Sequence, residues 1–295
     1  FALVKFMFLY IYLRKNYNIS INKLELRLIK SQLKYAFPIG CARLVGEIGR
    51  KIDKLILAIF LSPAHFASYS IAHLGVPFIG MFNLSISQVT IPEMSIKKKE
   101  GNFTEIIKLW HDMILKSSII AIPIIIFLLL QAENLIIIVF TDRYFESAKI
   151  FKIILLITPF HLLHSSVVLR SYKKTKIMFI SQLFSAIVAV ILGLILIKHY
   201  GMIGAAVCFV LSSLVRTLIQ IGNVKNLLLL SFRRLLPWYN MLKIILFSLI
   251  AAIFMLSVSR LESNHMISFL YESIGYFLII LLMYLKLKIF DFGIR

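Results

Sequence analysis

The chain has 295 residues, of which 60% are hydrophobic and 16% charged, at a mean hydropathy of +0.91. That leaves too few polar residues to cover a water-soluble surface, so the lipid bilayer is the expected solvent and membrane lipids the expected surroundings. The net charge of +20 would suit a polyanionic partner, but the basic residues form no single stripe or tail, and nucleic acid is not expected.

A spanning helix needs roughly 20 apolar residues to cross a hydrocarbon core about 30 Å thick. Residues 1–13 are apolar but too short to cross, start without methionine, and lack the basic start and small-residue cleavage site of a signal peptide. They read as the truncated end of a transmembrane helix. Residues 14–34 read as a cytoplasmic amphipathic linker, because NKLELRLIKSQLK mixes apolar and basic positions in a way that suits an inner leaflet.

Complete spans are predicted at residues 35–60, 66–92, 117–140, 150–169, 177–197, 203–221, 242–258 and 267–285. The first six make a lobe over residues 35–222. Residues 223–241 read as a cytoplasmic linker, and 242–295 as two additional transmembrane helices with a short cytoplasmic tail. Residues 97–112, basic and carrying Trp110, suggest a second surface helix. Pro77, Pro123 and Pro159 are positioned to kink three different spans.

Placing the loop after residue 13 in the cytoplasm puts 22 Lys and Arg on that side and five on the other, namely Arg143, Lys149, Lys152, Lys198 and Arg260. This positive-inside bias orients the helices, sets the C-terminus in the cytoplasm and accounts for most of the basicity. The remaining six, Lys5, Arg43, Arg50, Lys51, Lys54 and Arg216, fall within apolar segments.

Span 35–60 is the most polar. At about 100° per residue, Ala36, Gly40, Arg43, Glu47, Arg50 and Lys54 fall within an arc of roughly 80°. Charges facing lipid cost several kcal/mol each, so this stripe is expected to face a water-filled cavity inside the bundle. The competing reading has the residues from Arg50 to Lys54 snorkelling near an interface, with Glu47 paired locally to Arg50 or Lys51. The stripe runs about three turns, deeper than snorkelling from one end reaches, which favours the cavity.

A second face holds Ser213, Arg216, Gln220 and Asn223. Here Arg216 either lines the same cavity or anchors at the inner headgroups. His161 and His164, with Thr158 and Ser165, could form a polar face or proton relay, although hydrogen-bonded packing is the favoured reading, and His73 near Asn83 and Gln88 is similar. Cys41 and Cys208 are expected to be packing elements. No metal site and no cofactor are expected, since no cluster of ligand residues has the necessary spacing. With 13 acidic residues in all, no phosphate loop and no nucleophile elbow, the chain does not read as an enzyme.

The run from Lys34 to Ala72 (KYAFPIG…KIDKLILAIFLSPAHFASYSIA) resembles the seventh helix, outer turn and start of the eighth helix in oligosaccharide flippases (Wzx-like polysaccharide biosynthesis proteins) of the multidrug/oligosaccharidyl-lipid/polysaccharide (MOP) exporter superfamily. TDRYFESAKIF at 141–151, LRSYKKTK at 169–176 and HYGMIGAAVCFVLSS at 199–213 agree in order. The resemblance covers nearly the full chain. It implies an all-α polytopic bundle, the second lobe of a MATE-like two-lobed transporter plus two extra C-terminal helices, with the N-terminal lobe missing.

It also implies alternating-access flipping of a polyprenyl-phosphate-linked oligosaccharide in the inner membrane, for surface polysaccharide synthesis. Arg43, Arg50, Lys54 and Arg216 would then line the substrate cavity and hold phosphate. Glu47 and Asp53 would couple an ion or, more economically, balance charge. A multidrug exporter of the same superfamily would favour a less basic cavity. A membrane polymerase or glycosyltransferase would need a sizeable outer loop or an acidic pair, and the outer connections are short.

Overall fold

Backbone polar groups in lipid must be satisfied within the chain, and long runs of Leu, Ile, Val and Phe answer this by forming helices. The computed structural model describes residues 2–16, 26–73, 77–258 and 265–286, and among these there is no strand. The helices are α1 (Ala2–Asn16), α2 (Leu26–Phe60), α3 (Pro63–Ala72), α4 (Pro77–Lys99), α5 (Phe103–Phe140), α6 (Glu146–Leu155) and α7 (Thr158–His161). They continue with α8 (Ser165–Ser171), α9 (Thr175–Leu227), α10 (Phe232–Leu235), α11 (Trp238–Val258) and α12 (His265–Lys286).

Among the described residues, five helical segments are long and apolar enough to cross a membrane: Phe103–Phe140, Glu146–Ser171, Thr175–Leu227, Trp238–Ser257 and Ser268–Lys286. They contain six of the eight predicted spans, because α9 supplies two. The other two spans are also helical, as α2 and as the pair α3 and α4. Their polarity is local: α2 carries the charged stripe and α4 ends in three lysines, Lys97 to Lys99.

Three expectations change. Helix α2 begins at Leu26, so residues 26–34 run on into residues 35–60 as one helix instead of forming a separate surface helix, while residues 17–25 of the predicted linker lie outside the described residues. Residues 97–112 are not a surface helix either. They are the end of α4, a turn at Gly101 (φ 71°), and the start of α5, where Asn102 Oδ1 accepts from the Glu105 amide at 3.2 Å as an N-cap. Trp110 is therefore fully buried, donating Nε1–H to the Leu163 carbonyl at 2.8 Å. The span at 150–169 is broken into α6, α7 and α8, with Pro159 in the short α7 and His164 at φ 47° between α7 and α8. Pro123 sits inside α5 without ending it.

Helix α9 reverses at Gly201, whose φ of 57° and ψ of −132° lie outside the helical region. The two halves fold back closely: Ser185 Oγ donates to the Ser212 carbonyl at 2.7 Å and Cys208 Sγ to the Ala189 carbonyl at 3.2 Å. Small residues permit this, and a methyl group on Gly204 would overlap the Leu196 carbonyl. Helix α2 packs along this hairpin, with Ile56 against Gly193. On the far side, α11 and α12 pack on α5. Tyr276 donates to the Pro123 carbonyl at 3.1 Å, Tyr284 donates to the Ile119 carbonyl at 3.2 Å, and the Gln131 amide donates to the buried Glu272 carboxylate.

Candidate functional site

A cleft of about 640 Å3 opens between α2, the broken segment α7 to α8, and the α9 hairpin. Arg43 and Glu47 reach it from α2, one turn apart. Gly46 beside them is buried, and a Cβ there would lie 3.1 Å from the Gln182 carboxamide, so α2 comes close to the first half of α9. Arg216, Thr217 and Gln220 line the cleft from the second half of α9. The break between α7 and α8 supplies His161, His164 and Ser165, and Arg170 follows at the end of α8.

A polar network orders this wall. Arg216 Nη2 lies 3.2 Å from His161 Nε2, and His164 Nε2 lies 2.8 Å from Ser117 Oγ. Ser165 Oγ donates to Gln220 Oε1 at 3.3 Å, and Gln220 Nε2 donates to Ser181 Oγ at 3.0 Å. Arg170 Nε is buried with no hydrogen-bond partner among the described residues. Among the described residues three guanidinium groups from three elements thus meet one lining carboxylate, Glu47, which is chemistry suited to an anion.

The structure therefore brings Arg43, Glu47 and Arg216 to one cleft, but not Lys54, which is half-buried on α2 away from it. Arg50 and Asp53 belong to the helical backbone of α2, and their side chains lie outside the described residues. Both members of the predicted histidine pair line the cleft, His161 exposed beside Arg216 and His164 mostly buried, with Nε2 2.8 Å from Ser117 Oγ of α5. Ser213 is buried, and Asn223 bonds to the Ile219 carbonyl of its own helix at 2.7 Å. Reasoning from sequence missed Arg170, which charge counting leaves in the loop between spans 150–169 and 177–197, and Gln182, a polar residue five positions into the apolar span 177–197 whose place there was itself a signal.

Residues 2–149, half of the chain, match the family described as polysaccharide biosynthesis protein. The chain belongs to that family. No curated protein sequence matches it significantly. Among solved structures, this polysaccharide biosynthesis protein is similar to the lipid II flippase MurJ in an inward closed conformation, with a TM-score of 0.67 and 22% identity over 90% of this chain. It is also similar to an outward-facing multidrug resistance MATE family transporter of the MOP superfamily, with a TM-score of 0.58 and 17% identity over 84% of this chain. A MOP superfamily transporter from Pyrococcus furiosus follows at 0.53 and 17% over 77%.

At these identities the likeness is one of fold, and the protein is a multi-pass helical membrane protein with the MOP transporter fold. It spans 57%, 61% and 55% of the three structures, respectively.

Proposed function

We propose that this chain is the C-terminal part of a flippase that moves a polyprenyl-phosphate-linked oligosaccharide across the cytoplasmic membrane for surface polysaccharide synthesis, without covalent chemistry. The observation that carries this reading is the meeting of Arg43, Arg170 and Arg216, from three separate elements, at one cleft with a single lining carboxylate among the described residues. A lipid-linked sugar carries one or two phosphates at the head of its chain. The planar fork of arginine grips phosphate oxygens in pairs where lysine acts as a point charge.

The cleft is open on one side, which suits a half-site closed by a first lobe of the full-length protein, with one lobe rocking against the other. Glu47 balances the charge of the neighbouring arginines or couples an ion. By helical period Arg50 and Lys54 continue the stripe of Arg43 and Glu47 as supporting charges, and Asp53 is a second candidate for ion coupling or charge balance. A cavity this basic favours an anionic cargo over the organic cations of a multidrug exporter.

The test uses the full-length protein. Arg43→Gln and Arg216→Gln each lower glycan export at nearly unchanged membrane abundance, and lysine at either site restores it only in part. Normal export in both glutamine variants overturns phosphate gripping. Low abundance repaired by adding Glu47→Gln replaces it with a structural ion pair. Efflux of ethidium by the unsubstituted protein, without glycan export, replaces it with the multidrug reading.

A further inference from the structure

A second, larger cleft of about 1300 Å3 lies at the end of the bundle where α2 begins, α4 ends and α8 turns into α9. Its cations come from separate places in the chain: Lys34 from α2, Lys98 and Lys99 from the end of α4, and Lys173, Lys174 and Lys176 from the turn and first residues of α9. Arg170 lines it as well, from the opposite side of the wall it presents to the first cleft. No carboxylate lines this cleft among the described residues. A general inward bias of positive charge explains basic loops, but not their gathering around one hollow.

The local structure fixes the backbone that carries these cations. The turn after α8 closes tightly, with the Lys173 amide donating to the Arg170 carbonyl at 2.9 Å and the Lys174 amide to the Leu169 carbonyl at 2.8 Å, and Lys173 taking φ 57°. Lys98 Nζ stands 4.6 Å from the centre of the Tyr172 ring, tying the end of α4 to that turn through a cation–π contact. No side chain caps the N-terminus of α9, although the Ile177 amide donates to the Lys174 carbonyl at 3.1 Å, and the positive end of the helix dipole lies beside the three lysines. Arg170, which lines the cleft, buries its Nε without a hydrogen-bond partner among the described residues. An unfilled guanidinium donor, a helix start without a side-chain cap and six lysines around one hollow call for an oxyanion such as phosphate.

We propose that this cleft binds the phosphate of a lipid headgroup at the membrane surface, as a site separate from the central cleft and joined to it through Arg170. The occupant is a phosphate ester on a lipid tail, supplied by a bulk anionic phospholipid or by a polyprenyl phosphate. The inference needs only that the chain sits in a membrane, and holds whether or not the protein moves a glycan.

The experiment reconstitutes the full-length protein in phosphatidylcholine nanodiscs doped with either phosphatidylglycerol or a polyprenyl phosphate, and counts retained anionic lipid by native mass spectrometry. The triple variant Lys173→Gln, Lys174→Gln, Lys176→Gln is compared with an equal loss of charge at the same end of the bundle, Lys225→Gln, Arg233→Gln, Arg234→Gln, whose residues are exposed and outside the cleft. The triple cleft variant is expected to weaken retention by at least about tenfold while the control changes it little. Loss confined to phosphatidylglycerol or to the polyprenyl phosphate supports the site and names its source. Equal loss in the control, or retention unchanged in the cleft variant, overturns it. Because binding is the readout, a failure here leaves the export test of the central arginines unaffected, and the reverse holds too.

Discussion

Arg216 reaches across the central cleft to His161, placing Nη2 3.2 Å from the imidazole Nε2 and joining the second half of α9 to α7. A guanidinium has donors only, so Nε2 is the acceptor and the imidazole proton sits on Nδ1. The pair sets the direction of the Arg216 fork. His161→Gln keeps an acceptor and should preserve most glycan export by the full-length protein. His161→Lys removes the acceptor and adds a second cation, and should lower export several-fold at similar abundance, because the site is exposed. Equal export from both variants would show that the contact positions nothing.

Trp110 holds the broken span to α5. It is fully buried, and its indole N–H satisfies the Leu163 carbonyl in the turn between α7 and α8, a carbonyl that the helix break leaves without a regular partner. Trp110→Phe should cost about 1–3 kcal/mol through that stranded carbonyl, and Trp110→Ala a further amount from the cavity, for about 3–5 kcal/mol in total. Thermal unfolding of the detergent-solubilised protein should rank wild type above Trp110→Phe above Trp110→Ala. A Trp110→Phe protein as stable as wild type would show that the hydrogen bond contributes nothing.

The α9 hairpin depends on what glycine lacks. A Cβ on Gly193 would lie 2.9 Å from the Ile56 Cδ1 methyl, the movable tip of a side chain, whereas one on Gly204 would run into the Leu196 backbone. Gly204→Ala should therefore reduce membrane abundance markedly more than Gly193→Ala, since only the second can be absorbed by a side-chain shift. Comparable abundance of the two variants would argue against the tight return at Gly201.

Hydrophobic length located six of the eight predicted spans in long apolar helical segments, because it follows from bilayer thickness alone, and the alignment of Arg43 and Glu47 followed from helical period. What could not be read was where the period fails. Residues 150–169 carry a continuous apolar pattern, yet the chain breaks at Leu162 to His164 to let Trp110 reach a carbonyl 53 residues away in sequence, which no local signal encodes. That break sets His161 beside Arg216 and His164 against Ser117, so the two line one cleft but bond to different elements. Arg170 was hidden for a related reason: charge counting assigns it to a loop, and only the packing of α2 and α9 around the end of α8 gives it two clefts to line.

Orientation is the remaining expectation to be tested, and the fold supplies suitable positions. Lys173 is exposed in the turn that meets Lys98 and the start of α2, while Ser62 is exposed between α2 and α3, at the end where Leu61 and His65 meet Tyr200 to Ile203. These positions lie at opposite ends of the bundle. The excess of basic residues at the Lys173 end predicts that it is cytoplasmic. In a full-length protein first cleared of Cys41 and Cys208, Ser62→Cys should react with a membrane-impermeant maleimide on intact cells, and Lys173→Cys only after permeabilisation. Cys208 is buried, with its thiol on the Ala189 carbonyl, so a small replacement such as alanine should keep the hairpin closed. Labelling of Lys173→Cys on intact cells would invert the whole scheme and place the phosphate-binding cleft on the outer surface. Labelling of Ser62→Cys alone fixes the second cleft on the side where lipid-linked precursors carrying phosphate would have to be met before export.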